Sequence, residues 1–165
     1  MAAYAVGHGL ANLILAPIGM LHQCTLTFAK TSVPATYRIT KIFTAAFSFG
    51  ASLILAAVSF SAIGPWVLTH LMGVSGEIRD SALSVMRIMS LLPVLFGWRE
   101  YLWGILMQHR ATKLIGAAKA VNLGFVVGSL VLILYLELMP AANAGAWAMV
   151  IGELADCLYM QWSYR

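Results

Sequence analysis

The sequence predicts an all-α membrane protein, a polytopic bundle of about five transmembrane helices that forms a single domain over residues 1–165. Hydrophobic residues make up 61% of the chain and charged residues only 10%, against about 25% in an ordinary soluble domain. The mean hydropathy is +0.87. This composition excludes a water-soluble globular domain, a disordered chain and a coiled coil. The apolar stretches are also too long for the roughly ten-residue strands of a membrane barrel.

The charged residues divide the chain into predicted spans at approximately 5–29, 42–64, 81–108, 114–136 and 144–164. The first span precedes Lys30, the first charged residue, and lacks the basic start of a secretory signal. The second ends at a Gly-Pro pair, and the segment that follows it is expected to lie along the membrane interface. Pro93 interrupts the third span, the fourth ends before Glu137, and Arg165 closes the chain after the fifth.

The loop charges predict the orientation, because basic loops stay on the cytoplasmic side. The first and third loops are basic, and their charged residues are Lys30, Arg38, Lys41, Arg110 and Lys113. The second loop contains Glu77, Arg79 and Asp80, and the fourth only Glu137. We therefore expect an external N-terminus and a cytoplasmic C-terminus in the plasma membrane or a bacterial inner membrane. An external N-terminus without a signal leads us to expect a further helix before this chain.

The third predicted span and the end of the chain resemble a known group of transporters. The features that carry the resemblance are Met86-Arg87-Ile88, Pro93, Arg99, a turn at Gly104 and the pair Gly152-Glu153. With them the chain resembles the multidrug/oligosaccharidyl-lipid/polysaccharide exporter superfamily, whose members are MATE-like transporters. Within that superfamily it is most similar to the progressive ankylosis protein family.

The resemblance implies that the chain corresponds to helices two to six of one six-helix lobe, and is therefore an incomplete lobe. It also implies export of an anionic small molecule, such as pyrophosphate, a nucleotide or citrate, by alternating access. The implied partners are the lipid bilayer, the anionic solute and the missing helices or second lobe. The alternatives are a polysaccharide or lipid-linked sugar flippase, a drug/cation antiporter, and a structural membrane subunit without its own substrate.

The sequence does not predict an enzyme, a cofactor or a nucleic-acid partner. It contains no GxSxG, HExxH or P-loop motif. Its four histidines lack the spacing of metal ligands, so no metal site is predicted. Cys24 and Cys157 lie in apolar stretches without CxxC spacing, and we expect both to be small buried side chains.

Ionisable residues inside the spans are the candidate functional residues, because they are costly in lipid. Arg99, Lys119 and Asn122 are the candidate anion contacts, since a guanidinium donates paired hydrogen bonds to phosphate or carboxylate. Glu153 and Asp156 share a helix face and are the candidate coupling residues. The alternative is structural pairing, because three basic side chains in the spans face three acidic ones: Arg87, Arg99, Lys119, Glu100, Glu153 and Asp156.

Three further patterns concern helix packing and helix shape. On one continuous helix, a polar stripe would face a cavity or partner helices, and its members are His8, Asn12, His22 and Gln23. A stripe of small residues in the fourth span predicts close helix packing, and it consists of Gly116, Ala120, Gly124 and Gly128. Pro17 and Pro93 predict kinks within spans and are hinge candidates.

Overall fold

The structure is a computed structural model, and it describes residues 2–28 and 34–164. Within these ranges there is no strand, which confirms the predicted all-α bundle. The helices are α1 (Ala2–Ile18), α2 (Leu21–Phe28), α3 (Pro34–Phe60), α4 (Ile63–Trp66), α5 (Gly76–Met89), α6 (Leu92–Gln108), α7 (Thr112–Tyr135) and α8 (Ala141–Tyr164). A short π-helical segment, Val67–Leu71, continues α4.

Four helical units in the described ranges are long and apolar enough to cross a membrane. They comprise α1 with α2, most of α3, α5 with α6, and α7. Helix α8 has 24 residues, as many as α7, but it is not among the four and carries Glu153 and Asp156 in its middle. Because α8 packs along α7, it belongs to the same bundle, and a fifth span there stays a prediction.

Both predicted kinks are present, and each is a break between two helices. Helix α1 ends one residue after Pro17, and α2 begins after a turn at Gly19 and Met20. Helix α5 ends at Met89, and Pro93 lies in the first turn of α6. The N–H groups of a first turn have no helical acceptor, so proline costs no hydrogen bond there. Their action as hinges stays a prediction.

The structure corrects several predicted boundaries. Helix α3 begins at Pro34, so Arg38 and Lys41 lie on its first turns and not in a loop. It ends at Phe60, before the Gly-Pro pair that was expected to end the span. The charged residues expected in the second loop lie in the first turns of α5, and the turn predicted at Gly104 lies inside α6. Lys30 lies outside the described residues.

The ends of the helices bring the two basic segments to one end of the bundle. The Tyr37 hydroxyl, near the start of α3, donates a hydrogen bond of 2.5 Å to Oε1 of Gln108 at the end of α6. The connection that carries Arg110 follows directly after Gln108. The two basic segments therefore share one end, as the predicted orientation requires.

We expect labelling to show that this basic end is cytoplasmic. Single cysteines at Ser75 and Ala111, in a variant with Cys24→Ser and Cys157→Ala, should react with a membrane-impermeant thiol reagent from opposite sides. Ser75 should react from outside and Ala111 only after permeabilisation, because basic connections remain cytoplasmic. Labelling of both positions from one side would contradict the predicted orientation.

Close helix contacts are made at glycines other than the predicted ones. At Gly104 of α6, an added Cβ would lie 2.7 Å from Cγ2 of Thr25 and 3.0 Å from the carbonyl oxygen of His22. Helix α2 therefore approaches the backbone of α6 at this point. At Gly152 of α8, an added Cβ would lie 3.2 Å from the carbonyl oxygen of Asn122. These glycines allow α2 to pack on α6 and α8 to pack on α7.

The predicted small-residue stripe of α7 does not pack in this way. All four members, Gly116, Ala120, Gly124 and Gly128, are exposed on α7. No described atom outside the local helix backbone lies within 4 Å of a Cβ built at any of the three glycines. The packing prediction is therefore wrong for contacts among the described residues, because α7 turns its other side toward α8.

Candidate functional site: a buried ion-pair network

Two apolar clusters enclose a layer of charged side chains in the middle of the bundle. In α6, Leu92 belongs to the first apolar cluster and Leu106 to the second. In α8, Val150 belongs to the first cluster and Met160 to the second. The charged side chains of both helices lie between these positions in sequence. Arg99 is nine residues from the end of α6, about 13 Å along the helix axis. The layer therefore lies well inside the apolar thickness of the bundle.

Arg99 is the centre of this layer. Its Nη1 donates to Oε2 of Glu153 at 2.7 Å, and this bond joins α6 to α8. Its Nη2 and Nε both donate to Oε1 of the neighbouring Glu100, at 2.8 and 3.2 Å. The side chain of Arg99 is 11% exposed, that of Glu153 9% and that of Glu100 1%. All three charged groups are thus largely removed from solvent, and the one guanidinium of Arg99 contacts both carboxylates.

The second oxygen of Glu100 lies against a histidine of α2. Nδ1 of His22 is 2.6 Å from Oε2 of Glu100 and 3.0 Å from the carbonyl oxygen of Gly19. That carbonyl belongs to the break between α1 and α2, where regular helical hydrogen bonding is interrupted. His22 therefore connects the broken first span to the ion pairs of α6.

Helix α7 adds a second basic residue on the other side of Glu153. Nζ of Lys119 lies 2.6 Å from Oδ2 of Asp156 and 4.0 Å from Oε1 of Glu153. The amide of Asn122, nearly one turn further along, donates to the same Oε1 at 3.4 Å. Asp156 is fully buried, and its Oδ1 has no hydrogen-bond partner among the described residues. Lys119 is therefore the basic partner of the deepest carboxylate.

Aromatic rings lie over both basic side chains. The guanidinium carbon of Arg99 is 4.2 Å from the ring centre of Phe96 and 5.0 Å from that of Trp103. The ammonium of Lys119 lies 5.0 Å from the same Trp103 ring. Cation–π contacts of this kind add favourable electrostatic energy in a desolvated site. Trp103 thus lies against both cations and also meets the His22 ring edge-on.

We call the residues joined by these contacts the central network, and they are His22, Arg99, Glu100, Lys119, Asn122, Glu153 and Asp156. It brings together every predicted anion contact and both predicted coupling residues. It adds His22 and Glu100, which are 78 residues apart in sequence. Only the polar-stripe prediction pointed to His22, and no spacing rule pointed to its pairing with Glu100.

Arg87 does not belong to the central network. Its Nε donates to the carbonyl oxygen of Ser59 at 3.2 Å, and its guanidinium carbon lies 5.2 Å from the Phe60 ring centre. Ser59 is in the last turn of α3, where backbone carbonyls lack helical partners and favour a cation. Arg87 therefore stabilises the end of α3. Without it, the central network contains two basic and three acidic side chains, and not the three of each that the spans contain.

The break at Gly19 and Met20 divides the predicted polar stripe between α1 and α2. Asn12 and Gln23 are exposed. The ring of His8 stacks on Tyr4 with 5.6 Å between ring centres. Of the four residues, His22 is the member that reaches the central network.

The remaining predictions concern metals and cysteines. The described residues contain no group of three or more His, Cys, Asp or Glu placed to hold a metal ion. Both cysteines are free. Cys157 is buried, and its thiol lies 3.4 Å from the Leu95 carbonyl oxygen, whereas Cys24 is only half-buried.

A cleft of about 740 Å³ opens beside this layer, between α3, α6 and the end of α8. Its lining includes Lys41, Thr44, Ser48, Gly97 and Gln161. None of the residues of the central network lines this cleft. In this conformation the basic side chains of the network face carboxylates and not the cleft.

Fold and site together define a helical membrane protein with a buried ion-pair network at the junction of α2, α6, α7 and α8. Comparisons of the chain with protein-family models, with curated proteins and with solved structures find no match.

Proposed function

We propose that this chain is a lobe of a membrane transporter, which a second copy of the chain completes, and that the central network is its substrate and coupling site. The observation that carries the proposal is Arg99, buried in the middle of a span and held between Glu100 and Glu153. Ionisable groups at this depth are costly and mark transport pathways in membrane proteins. A bundle that needed only stability could fill the same space with apolar side chains at equal or lower cost.

The proposed substrate is a small anion such as citrate, pyrophosphate or a nucleotide, in line with the resemblance described above. Glu153 lies between the two basic side chains, 2.7 Å from Arg99 and 4.0 Å from Lys119. An entering anionic group can take its place and accept hydrogen bonds from both. The displaced Glu153 then takes up a proton, so that entry of one negative charge leaves the net charge of the network unchanged. Exchange of a carboxylate for an anion would couple substrate binding to protonation.

The broken spans support alternating access. The break between α1 and α2 lies next to His22, and the break between α5 and α6 precedes Arg99 by less than three turns. Discontinuous helices around a midplane site are a recurring design of secondary transporters. A change of angle at either break would change the contacts between α2, α6 and α8, which are the contacts that bury the central network.

A structural membrane subunit is the second candidate, and one observation favours it. Both basic side chains of the central network already have acidic partners. In that case the ion pairs would fix which helices associate, and the chain would bind no anion.

Transport measurements separate the two candidates. The chain should support uptake of labelled citrate or pyrophosphate into proteoliposomes, and Lys119→Met should reduce this uptake roughly tenfold or more. A hydrogen bond to a charged group contributes about 1.5–3 kcal/mol, and the variant removes one from the proposed anion site. Lys113→Met is the matched control, because Lys113 is exposed at the start of α7 and its loss should leave uptake unchanged.

Folding of Lys119→Met must be compared with that of Lys119→Met/Asp156→Asn, in which the deepest carboxylate is also neutralised. Low uptake in a double variant that elutes as the folded protein supports anion binding by Lys119. Uptake by the unmodified, folded chain at the level of empty liposomes would overturn the transport proposal and leave the structural role.

A further inference from the structure

The cleft between α3, α6 and the end of α8 contains two buried hydroxyl groups that have no protein partner. Thr44 and Ser48, one turn apart on α3, both line this cleft and are 2% and 1% exposed. Neither hydroxyl makes a hydrogen bond to any described residue. A buried hydroxyl without a partner is costly, so a group that enters the cleft and accepts from these side chains would stabilise the protein. We call this cavity the α3–α6 cleft.

A lysine gives the same cleft a positive charge. Lys41, three residues before Thr44, lines the α3–α6 cleft, whereas no described carboxylate does. In contrast to Lys119, Lys41 has no acidic partner among the described residues. Arg38 adds a second exposed cation one turn earlier on α3. The charge of Lys41 is therefore free to meet an anionic ligand.

The rest of the lining is mainly apolar, and its large members are Ile42, Phe49, Val94 and Trp98. The cavity volume of about 740 Å³ lies within the range of ligand sites, about 300–1,000 Å³. A ligand that matches this lining has an anionic group for Lys41, hydrogen-bond acceptors for the two hydroxyls, and an apolar part. A phospholipid has these groups in this order, since its ester oxygens lie between the phosphate and the acyl chains.

The position of Lys41 along α3 places it at the level of lipid headgroups. About 20 residues lead from Lys41 to the end of α3 at Phe60, which is about 30 Å of helix and equals the thickness of the hydrocarbon core. Arg87, which is also exposed, lies against Phe60 at that other end. The two cations therefore mark the two boundaries of the apolar layer, and the two hydroxyls lie inside it.

We propose that the α3–α6 cleft binds one acidic phospholipid from the leaflet at the basic end of the bundle, which is the predicted cytoplasmic leaflet. Lys41 contacts the phosphate, Thr44 and Ser48 donate to the ester oxygens, and an acyl chain lies against Phe49 and Val94. Basic pockets between transmembrane helices on the cytoplasmic side bind acidic headgroups in this way. The central network does not line the cleft, so this site does not depend on the proposed function.

A free anion matches the cleft less well than a lipid does. Inorganic phosphate would satisfy Lys41, but it would leave the apolar part of the lining uncovered. The net charge of the lipid also matters, because the choline group of a zwitterionic lipid would lie close to Lys41 and Arg38. Like charges at this distance repel, so the cleft favours a headgroup with a net negative charge.

A second copy of the chain cannot supply a carboxylate to Lys41 in the same membrane orientation. Three of the six acidic residues, Glu100, Glu153 and Asp156, are buried in the central network. The other three lie at the end of the bundle opposite to Lys41, at the start of α5 and after α7, and they are Glu77, Asp80 and Glu137. Charge complementarity therefore favours a lipid over a second copy in this cleft.

Native mass spectrometry of the full chain tests the proposal, after release from nanodiscs that contain phosphatidylglycerol and phosphatidylcholine in equal amounts. The unmodified protein should retain one phosphatidylglycerol in preference to phosphatidylcholine. Lys41→Met should lower this retention about fivefold, which is the usual contribution of one basic residue near an anionic membrane surface. Lys113→Met is the matched control, because Lys113 is exposed at the same end of the bundle and does not line the cleft.

A pair of threonine variants tests the hydroxyl contacts. Thr44→Val removes an unpartnered hydroxyl and should lower retention of phosphatidylglycerol about threefold or more. It should not lower the unfolding temperature in lipid-free detergent, because that hydroxyl makes no hydrogen bond within the protein. Thr40→Val is the control, since Thr40 is also buried but donates to the Thr36 carbonyl oxygen at 2.9 Å and does not line the cleft. Its lipid retention should be unchanged.

Three results would overturn the proposal. Equal retention of the two lipids would show that headgroup charge plays no part, and equal retention by the unmodified protein and Lys41→Met would exclude Lys41. Displacement of phosphatidylglycerol by inorganic phosphate would show that the ligand is a free anion. Loss of a dimer in Lys41→Met on gel filtration, with unchanged lipid retention, would assign the cleft to a second copy of the chain and exclude the lipid.

Trp98 locates the bound lipid, because it lines the α3–α6 cleft. Phosphatidylglycerol with brominated acyl chains should quench a larger fraction of the tryptophan fluorescence in the unmodified protein than in Trp98→Phe. Brominated phosphatidylcholine at the same mole fraction should give a smaller difference between the two proteins. An equal quenched fraction in both proteins with brominated phosphatidylglycerol would place the acidic lipid elsewhere and overturn the cleft as its site.

Discussion

Arg99→Gln should destabilise the chain more than any other single substitution in the central network. Loss of the guanidinium leaves Glu153 and Glu100 without the donor that now contacts both. Breaking a buried ion pair by removing one partner costs about 3–5 kcal/mol. We expect a large fall in the apparent unfolding temperature in mild detergent, measured by circular dichroism, and a lower yield of monodisperse protein on gel filtration.

Arg87→Gln is the matched control, because Arg87 is exposed and contacts a backbone carbonyl at a helix end. Its effect should be about 1 kcal/mol or less. Arg99→Gln/Glu153→Gln should recover part of the lost stability, since the remaining Glu100 still faces His22. Equal unfolding temperatures for Arg99→Gln and Arg87→Gln would show that Arg99 is not compensating buried carboxylates. A double variant that recovers both stability and full anion uptake would exclude Arg99 from the substrate site.

Gly104→Val should have the second largest effect, through packing and not through charge. The added side chain would meet Thr25 and the His22 carbonyl oxygen, which belongs to the backbone of α2. Overpacking of this kind costs about 1–3 kcal/mol. The unfolding temperature should fall, and the ¹⁵N signal of His22 should change because α2 must move away from α6.

Gly128→Val provides the comparison on an exposed helix face, where an added Cβ has no described neighbour within 4 Å. The two variants make the same substitution in the interior of a helix, so backbone propensity affects both alike. We expect Gly128→Val to leave the His22 signal unchanged. Equal destabilisation by both variants would show that the contact between α2 and α6 contributes little.

The positions of four spans could be predicted from the sequence because the bilayer sets the length of an apolar stretch, and charges end it. The breaks could be predicted because proline removes a backbone donor wherever it occurs. The boundaries of α3 could not be predicted in this way. Arg38 and Lys41 have good helix propensity and lie in the first turns of α3, where charges resemble those of a loop between spans.

The contacts of the central network lay beyond prediction for a different reason. His22 and Glu100 are joined by the packing of α2 on α6, and no local pattern encodes which helices are neighbours. The polar stripe assumes a continuous helix, whereas a break at Gly19 and Met20 separates α1 from α2. Gly104 and Gly128 are likewise both glycines in apolar helices, although only Gly104 meets another helix.

The position of α8 after α6 and α7 in the chain has a consequence for biosynthesis. Lys119 has both of its acidic partners on α8, and Arg99 has one of its two there. While the chain is being made, α6 and α7 leave the ribosome before α8 exists, so Lys119 enters the membrane without a counter-charge. Arrival of α8 ends this exposure. We expect a nascent chain stopped before Glu153 to carry an uncompensated ammonium within the bilayer, a feature by which membrane quality control could distinguish it from the finished chain.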